Sequence, residues 1–215
     1  MIANKILTIE DFALFQERMQ DMGLFEFIDR QIIPVQGTEP VDAEMVAYVL
    51  SPDFDQNTLD LSFPMPTQQH DRIVSNLHFY LRLLARGLNY FIYSQATDIF
   101  VDSTGKIYKP DIVLVQKDAE HRENHRILNP LVLFEVLSKS TQAKDQSEKL
   151  EAYQSIPTLQ VYVLIAQDEP KVMVYQRLSE NTWQLQNLKK LEDRFTLQSI
   201  ELSLSLQEIY EEVDF

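Results

Sequence analysis

Two carboxylates stand in parts of the sequence where a charged side chain is costly. Asp111 opens the apolar run Asp-Ile-Val-Leu-Val directly after Pro110, and Glu135 lies inside Leu-Val-Leu-Phe-Glu-Val-Leu. A carboxylate buried there needs a paired cation, strong hydrogen bonds, protonation or a metal ion. Two carboxylates on neighbouring strands can share a hard cation such as Mg²⁺, which takes one or two carboxylates, waters and a phosphate. The alternative is a buried ion pair for Glu135 and a turn cap for Asp111.

The segment after Glu135 carries a second set of polar residues at helical spacing. Asp145, Lys149 and Tyr153 follow one another at i, i+4 and i+8, so they share one face of a helix predicted over residues 141–155. A helix that follows a strand folds back over the sheet, which can bring Lys149 close to Glu135. A lysine there could orient a water and stabilise developing negative charge. The alternative is an exposed Asp–Lys pair on the helix surface, which contributes little to stability.

These residues belong to longer stretches that resemble one family. The chain is similar to the Uma2 family (DUF820), which is numerous in cyanobacteria and belongs to the PD-(D/E)xK nuclease superfamily. The resemblance covers residues 24–33 and 63–177, and the stretch from Phe134 to Tyr153 is its most specific part. It is carried by Phe-Glu-Phe-Ile-Asp at 25–29, His-x-Arg-Ile-Val-x-Asn-Leu at 70–77, the strand 94–100 with Asp98, Lys-Pro-Asp at 109–111, Phe-Glu-Val-Leu-Ser-Lys-Ser-Thr at 134–141, Asp-x-x-x-Lys-x-x-x-Tyr at 145–153, and Ser-Ile-Pro-Thr-Leu-Gln-x-Tyr at 155–162.

The resemblance implies a fold and a chemistry. The fold is α/β, a restriction endonuclease-like core in which a mixed β-sheet is flanked by helices, with additional strands at the C-terminus. The chemistry is endonucleolytic hydrolysis of DNA with Mg²⁺ or Mn²⁺, the metal being held by Asp111 and Glu135 and activating a water for in-line attack on a phosphodiester. The superfamily's lysine normally stands two residues after the glutamate, where this chain has Leu137. Lys149 is then the expected third catalytic residue.

Supporting roles at this site fall to residues from several segments. The expected supporting residues are Gln31, His70, Asp98, Asp145 and Tyr153. The family usually has Gly-Glu after Ile-Asp, whereas this chain has Arg-Gln at 30–31, so a neutral amide replaces a carboxylate there. This departure and Leu137 favour a rival reading, in which the chain is a catalytically decayed member that acts as a protein-binding or assembly module.

The composition excludes several other chemistries. With 33 acidic and 19 basic residues the formal net charge is −14, which argues against a protein that binds nucleic acid generally through phosphate neutralisation. The chain has no Cys, so disulfides, cysteine metal sites and thiol nucleophiles are excluded. Its 4 Gly are too scattered for a dinucleotide-binding or Walker A loop. The N-terminus does not have a signal-peptide pattern and no long apolar run follows, so we expect a cytoplasmic protein.

The order of predicted elements indicates one domain over residues 1–215 with an insertion at 34–62. A Thr8 cap predicts a helix that ends before Gly23, and a second helix is predicted over 69–86. A strand or hairpin is expected over 24–33, and the insertion could hold strands at 44–50 and 59–63. Further strands are predicted over 89–101, 111–115, 131–137, 159–165, 171–177 and 182–188, with a last helix over 206–213.

Two weaker features complete the sequence. The charged stretch 117–126 is predicted to be a loop, in which His121 and His125 have the spacing of metal ligands only if the stretch were helical. The last of the predicted central strands, over 182–188, would be an edge strand with Trp183 packed against the sheet. Because an unpaired edge must be covered, it is a natural place for a homodimer to form.

Overall fold

The computed structural model describes residues 6–59, 63, 65–94, 97–118, 122–123, 126–138 and 141–215. Its helices are α1 (Ile9–Met19), α2 (Ala43–Val49), α3 (Gln68–Leu84), α4 (Gln142–Lys144), α5 (Leu150–Gln154) and α6 (Leu206–Ile209), with a 3-10 turn at Gln56–Thr58 and a π-helical turn at Asp145–Lys149 between α4 and α5. Its strands are β1 (Phe25–Ile28), β2 (Gln31–Pro34), β3 (Tyr90–Ser94), β4 (Ile99–Val101), β5 (Lys106–Tyr108), β6 (Ile112–Gln116), β7 (Arg122–Glu123), β8 (Arg126–Ile127), β9 (Val132–Leu137), β10 (Val161–Ala166), β11 (Val172–Ser179), β12 (Thr182–Leu188), β13 (Arg194–Leu197) and β14 (Leu202–Ser205).

The central sheet runs in the order β12-β11-β10-β9-β6-β3 and places the two carboxylate-bearing segments next to each other. β9 is parallel to β10 and antiparallel to β6, so the sheet is mixed, as predicted. α3, β13, β14 and α6 cover one face, and α5 covers part of the other. Burial on both faces explains why β6, β9 and β10 read as almost continuous apolar runs.

A second sheet, in the order β2-β1-β5-β4-β8-β7, packs against the α5 side of the central sheet. Ile99, Val101 and Tyr108 of this sheet share an apolar cluster with Tyr153 and Leu164. Its other side is covered by α1, which packs Phe12 and Phe15 against β1, and by α2, which buries Val46 and Val49 in the same apolar cluster. The hairpin expected over 24–33 is therefore confirmed as β1 and β2, and it belongs to this second sheet.

The two strands expected over residues 44–50 and 59–63 have different outcomes. Residues 44–49 lie in helix α2 and Leu50 is its C-cap, so the strand predicted there is wrong. Asp42 caps the helix by accepting hydrogen bonds from the backbone N–H groups of Glu44 and Met45, while Val46 and Val49 are buried at helical spacing. The β-branched residues of this run suggested a strand, and the cap together with the i, i+3 burial outweighs that preference. The strand expected over 59–63 lies largely outside the described residues.

The remaining elements follow the prediction with four differences. The strand predicted over 89–101 is instead two strands, β3 in the central sheet and β4 in the second sheet. α1 begins at the Thr8–Asp11 capping box, and α3 matches the predicted helix within two residues at either end. Within residues 117–126 the structure has two-residue strands β7 and β8 rather than loop throughout, and His121 and His125 lie outside the described residues. α6 ends at Ile209, earlier than predicted, and the hairpin of β13 and β14 was not anticipated. In the part of the chain that the structure describes, no helix has the length and apolar character needed to cross a membrane.

Candidate active site

Asp111 and Glu135 are brought together by the pairing of β6 with β9. Ile112 pairs with Phe134, so one further step along the antiparallel register sets Asp111 opposite Glu135. Oδ2 of Asp111 accepts a hydrogen bond of 2.7 Å from the backbone N–H of Val136. Both carboxylates are buried, Asp111 being 7% and Glu135 4% exposed. The fold thus holds two carboxylates side by side at a place where their charge must be compensated.

The helical segment after β9 supplies polar partners to Glu135. Its Oε1 accepts a hydrogen bond of 2.9 Å from Lys149 Nζ and one of 3.2 Å from the Tyr153 hydroxyl. Oε1 accepts both of these hydrogen bonds, so they do not involve Oε2, the second oxygen of the carboxylate. Leu137, at the usual position of the superfamily's lysine, is buried in the apolar cluster with Tyr153. The ammonium therefore reaches Glu135 from the helix instead of from β9.

Lys149 is the centre of a buried ion network. Its Nζ lies 2.9 Å from Glu135 Oε1, 3.0 Å from Glu26 Oε1 and 3.2 Å from Asp145 Oδ1. Asp145 and Lys149 stand at the two ends of the π-helical turn, a widened turn that is found frequently at functional sites. Burial by itself would lower the pKa of Lys149, but Asp145, Glu135 and Glu26 raise it well above its ordinary value. The ammonium accordingly stays charged.

Glu26 is a site residue that the sequence reasoning did not select. It is fully buried in β1 and accepts hydrogen bonds from Lys144 Nζ at 2.5 Å and from the backbone N–H of Lys109 at 3.0 Å. Burial would raise its pKa, but Lys149 and Lys144 outweigh burial, so the pKa of Glu26 lies below its ordinary value. The sequence signal was available, because Phe-Glu-Phe-Ile places a lone glutamate in an apolar run just as the strand of Glu135 does.

The pKa of Glu135 shifts in the opposite direction from that of Glu26. Burial raises its pKa, Lys149 lowers it, and Asp145, Asp111 and Glu26 raise it again, so the pKa lies well above its ordinary value. Four carboxyl groups meet at this site, those of Glu26, Asp111, Glu135 and Asp145, and the described contacts place on them the ammonium groups of Lys144 and Lys149 and the imidazole of His70. A bound cation would lower the pKa of Glu135 and stabilise its charged form.

His70 lies on the other side of Asp111. It stands in the first turn of α3, where its backbone N–H donates to the Thr67 side chain, and its imidazole is almost fully buried. Nε2 lies 3.2 Å from Asp111 Oδ1, within ion-pair distance but without hydrogen-bond alignment. Burial would lower the pKa of His70, but Asp111 and Asp71 raise it above its ordinary value.

A cavity of about 230 Å³ gives access to His70 and Asp111. Its walls are mostly apolar and include Leu24, Val35 and Met65. Asp111 is thus the member of the carboxylate pair that a ligand in this cavity would meet. His70, one of the expected supporting residues, lines the cavity beside Asp111.

Two predicted supporting residues lie apart from this network. Asp98 forms an ion pair with Lys109 and accepts a hydrogen bond of 3.4 Å from Gln16, and Arg126 Nε lies 3.9 Å from its other oxygen. Gln31 is exposed at the start of β2, paired with Ile28 across the hairpin. Within the described contacts neither residue reaches Asp111 or Glu135, whereas Asp145 and Tyr153 do join the network.

The arrangement fits a divalent cation that rests on few protein ligands. Among the residues described, no set of three His, Asp or Glu side chains is placed to hold a metal ion. Mg²⁺ does not need one, because it often binds through one or two carboxylates and completes its shell with waters and substrate phosphate. A cation would offset the charge of the carboxylates gathered here, and it would reach them through Asp111, which lines the cavity beside His70.

Sequence comparison finds similar proteins in Synechocystis sp.. The protein is 25% identical over 186 residues to the uncharacterized protein sll1609 of Synechocystis sp., an alignment that covers 86% of this chain and 88% of that protein. It is 30% identical over 106 residues to slr1290 of the same organism, covering 49% of this chain and 55% of that protein.

A solved structure shares the fold. It is described as a "putative nuclease belonging to DUF820" from Anabaena variabilis, and it matches with a TM-score of 0.61 at 18% identity over 86% of this chain and 89% of that one. The restriction endonuclease-like α/β fold predicted from the sequence is thereby confirmed. The family model for Uma2, described as "Putative restriction endonuclease", matches residues 53–207, a range that contains Asp111, Glu135 and Lys149. The chain belongs to the Uma2 family.

Proposed function

We propose that this protein is a divalent-metal-dependent endonuclease of the PD-(D/E)xK type that hydrolyses DNA phosphodiester bonds. The observation that carries the proposal is the buried pair Asp111 and Glu135 on adjacent strands, with the Lys149 ammonium 2.9 Å from Glu135. Membership of the Uma2 family, described as "Putative restriction endonuclease", supports the same reaction class.

Asp111 and Glu135 would hold the metal, Mg²⁺ or Mn²⁺. When bound, the ion would polarise the scissile phosphate and lower the pKa of an attacking water. Lys149 holds the Glu135 carboxyl group in place and lowers its pKa against the effect of burial, and its positive charge offsets charge that develops on the phosphate. Tyr153 fixes Glu135 from the next helical turn, while Glu26 and Asp145 hold the ammonium of Lys149.

The charge of the protein shapes how DNA would be bound. With a net charge of −14, long-range attraction for a polyanion is absent, so binding must come from local contacts near the site. Repulsion between exposed charges extends furthest at low ionic strength, about 30 Å at 0.01 M compared with 8 Å at 0.15 M. Activity is therefore best sought at physiological ionic strength with millimolar divalent cation.

Plasmid nicking tests the proposal directly. Supercoiled DNA is incubated with the purified protein and Mn²⁺ or Mg²⁺, and conversion to open-circular and linear forms is followed with time. Asp111→Asn is the informative variant, because its amide oxygen can still accept the hydrogen bond from Val136. We expect cleavage by the parent to stop with EDTA and to fall at least about 100-fold in Asp111→Asn, equivalent to roughly 2.7 kcal/mol of lost transition-state stabilisation.

The matched control removes a carboxylate far from the network. Glu212 is exposed and pairs with Arg72 on the surface, so Glu212→Gln should cleave like the parent. Equal cleavage by Asp111→Asn and the parent would exclude Asp111 from the reaction. Absence of cleavage by the parent with either ion would reject the endonuclease proposal.

The second candidate function is a protein-binding or assembly module that has lost catalysis. It is favoured by the internal pairing of Glu135 with Lys149 and Tyr153, which needs no cation to satisfy Oε1. Titration with Mn²⁺ by calorimetry separates the two candidates. Saturable binding that disappears in Glu135→Ala supports a working metal site, whereas a parent that binds no Mn²⁺ supports the module.

A further inference from the structure

β12 is an uncovered edge of the central sheet. It is the terminal strand of the order β12-β11-β10-β9-β6-β3, paired with β11 on one side only. Thr182, Gln184, Leu185, Gln186 and Asn187 are all exposed, so no described element covers its outer side. The backbone N–H and C=O groups on that side are free to pair with another strand, which is the situation natural proteins usually avoid.

The sequence of β12 lacks the charged residues and prolines that commonly prevent pairing at an edge. Thr-Trp-Gln-Leu-Gln-Asn-Leu contains no charged residue, no proline and no glycine, although the chain carries a net charge of −14. Leu185, in the middle of the strand, leaves 46% of its surface exposed. An uncharged surface of this kind is where two strongly acidic molecules can approach without like-charge repulsion.

The sequence of β12 is complementary to itself in the antiparallel direction. Gln184, Leu185 and Gln186 read the same both ways, so a two-fold axis at Leu185 sets leucine against leucine and glutamine against glutamine. Residues 184 and 186 share one face of the sheet, and both line a shallow polar cavity together with Gln176 and Gln198. The amide groups of two copies would therefore meet on that face and could donate and accept hydrogen bonds in pairs.

The two ends of β12 carry opposite charges. Lys189 and Lys190 follow the strand, and Glu180 stands in the turn that precedes it; all three side chains are exposed. In an antiparallel pair about Leu185, the end of β12 in one copy lies beside the start of β12 in the other. The lysines of each copy then meet the glutamate of the second copy, twice by symmetry.

From these four features we infer that β12 is a homodimer interface, in which two copies of this chain pair β12 with β12 about a two-fold axis at Leu185. The two six-stranded central sheets then form one continuous sheet of twelve strands. The partner strand is β12 of a second copy, because the same residues of the chain are complementary to one another on both sides, as an isologous interface requires. The interface does not depend on the proposed nuclease activity.

Disulfide trapping tests the register. The chain has no cysteine, so Leu185→Cys introduces a single thiol at the two-fold axis. Opposed Cα atoms in an antiparallel pair lie about 4.5–5.5 Å apart, inside the range of a disulfide. Mild oxidation should convert Leu185→Cys into a covalent dimer of twice the 25.2 kDa chain mass. Leu83→Cys, at an exposed leucine on α3, is the matched control. It should cross-link at least about ten times more slowly, because its thiols meet only by random collision, whereas the thiols of Leu185→Cys are held opposite each other in the dimer.

Sedimentation equilibrium tests the dimer without a cross-link. Leu185→Lys places two ammonium groups opposite each other at the axis and should raise the dimer dissociation constant at least about ten-fold, whereas Leu83→Lys should leave it unchanged. Glu180→Lys should weaken the dimer, and Glu180→Lys combined with Lys189→Glu and Lys190→Glu should restore it. A parent that is monomeric at all concentrations, a dimer that survives Leu185→Lys, or equal trapping of Leu83→Cys and Leu185→Cys would overturn the inference.

Discussion

Lys149 Nζ lies 2.9 Å from Glu135 Oε1, although the two residues are 14 positions apart and belong to different elements. The contact exists because the chain leaves β9, turns, and lays the following helix back over the sheet face on which Glu135 stands. A lysine two residues after the glutamate would reach the same carboxylate from within the strand. The protein thus keeps an ammonium beside its buried glutamate while Leu137 contributes to the apolar core.

Lys149→Met should destabilise the protein strongly. Methionine keeps much of the side-chain volume but leaves Glu26, Glu135 and Asp145 without their shared cation. Removing one partner of a buried ion pair costs about 3–5 kcal/mol. Urea denaturation followed by circular dichroism gives the free energy of unfolding. Lys106→Met is the control, because Lys106 pairs with Asp29 and Glu148 near the surface, and its loss should cost at most about 1 kcal/mol. Equal losses in the two variants would contradict a central role for Lys149.

Tyr153→Phe should have a smaller and more local effect. It removes only the hydroxyl that donates to Glu135 Oε1 at 3.2 Å and leaves the ring contacts with Tyr108 and Tyr162 in place. We expect a loss of about 1 kcal/mol in the free energy of unfolding, the usual net value of one hydrogen bond. The same urea titration measures it. A loss above about 3 kcal/mol would indicate that the hydroxyl does more than orient Glu135.

Arg30→Gly should stabilise the hairpin that carries Glu26. Asp29 and Arg30 form the turn between β1 and β2 with φ of 49° and 64°, the left-handed region that glycine adopts without strain. Relief of that strain, about 1–2 kcal/mol for a residue with a side chain, exceeds the entropy that glycine costs in the unfolded chain. The melting temperature should therefore rise. An unchanged or lower value would mean that the Arg30 turn is not strained.

Much of this site could be predicted from the sequence. A glutamate inside an apolar strand requires a partner, and the helical spacing of Asp145, Lys149 and Tyr153 offered one on the next element. The hairpin over residues 24–33, helix α3 and strands β6, β9 and β10 also follow from hydrophobic periodicity. These features can be predicted locally, because the spacing of apolar residues within a strand or helix shows which of its faces is buried.

The remainder depends on contacts between distant segments. Glu26 joins Lys149 only because the second sheet packs over α5, and no local pattern encodes that packing. Gln31 was selected by its position in the resembling segment, yet the hairpin turns its side of β2 toward solvent. Helix α2 shows a different limit, since two valines and a tyrosine favour a strand by propensity while Asp42 and the burial of every third residue favour a helix.

Glu26→Gln should change the pH dependence of stability at acid pH. The pKa of Glu26 is lowered on folding, so its ionised form contributes stability that is fully present above the ordinary value of 4.5 and is lost as the pH falls through the folded value. At pH 7 the variant should be about 3–5 kcal/mol less stable than the parent, because two buried lysines lose a partner. The difference should shrink steadily below pH 4.5. Glu212→Gln should show no such trend, and a constant difference for Glu26→Gln would contradict the lowered pKa.

Glu135→Gln should show the opposite sign, although both glutamates contact the same ammonium. The pKa of Glu135 is raised on folding, so the native state holds its proton more tightly than the unfolded chain, and stability falls as the pH rises from 4.5 toward the folded pKa. Gln removes that ionisation. In EDTA, which excludes any bound cation, Glu135→Gln should therefore gain stability relative to the parent as the pH rises above 4.5. Urea titrations at several pH values measure the difference.

If Glu135→Gln instead loses stability relative to the parent as the pH rises, Lys149 lowers the pKa of Glu135 by more than burial and the three neighbouring carboxylates raise it. The gain, if found together with lost plasmid nicking, would mean that the fold accepts an unfavourable buried charge that only a bound cation relieves.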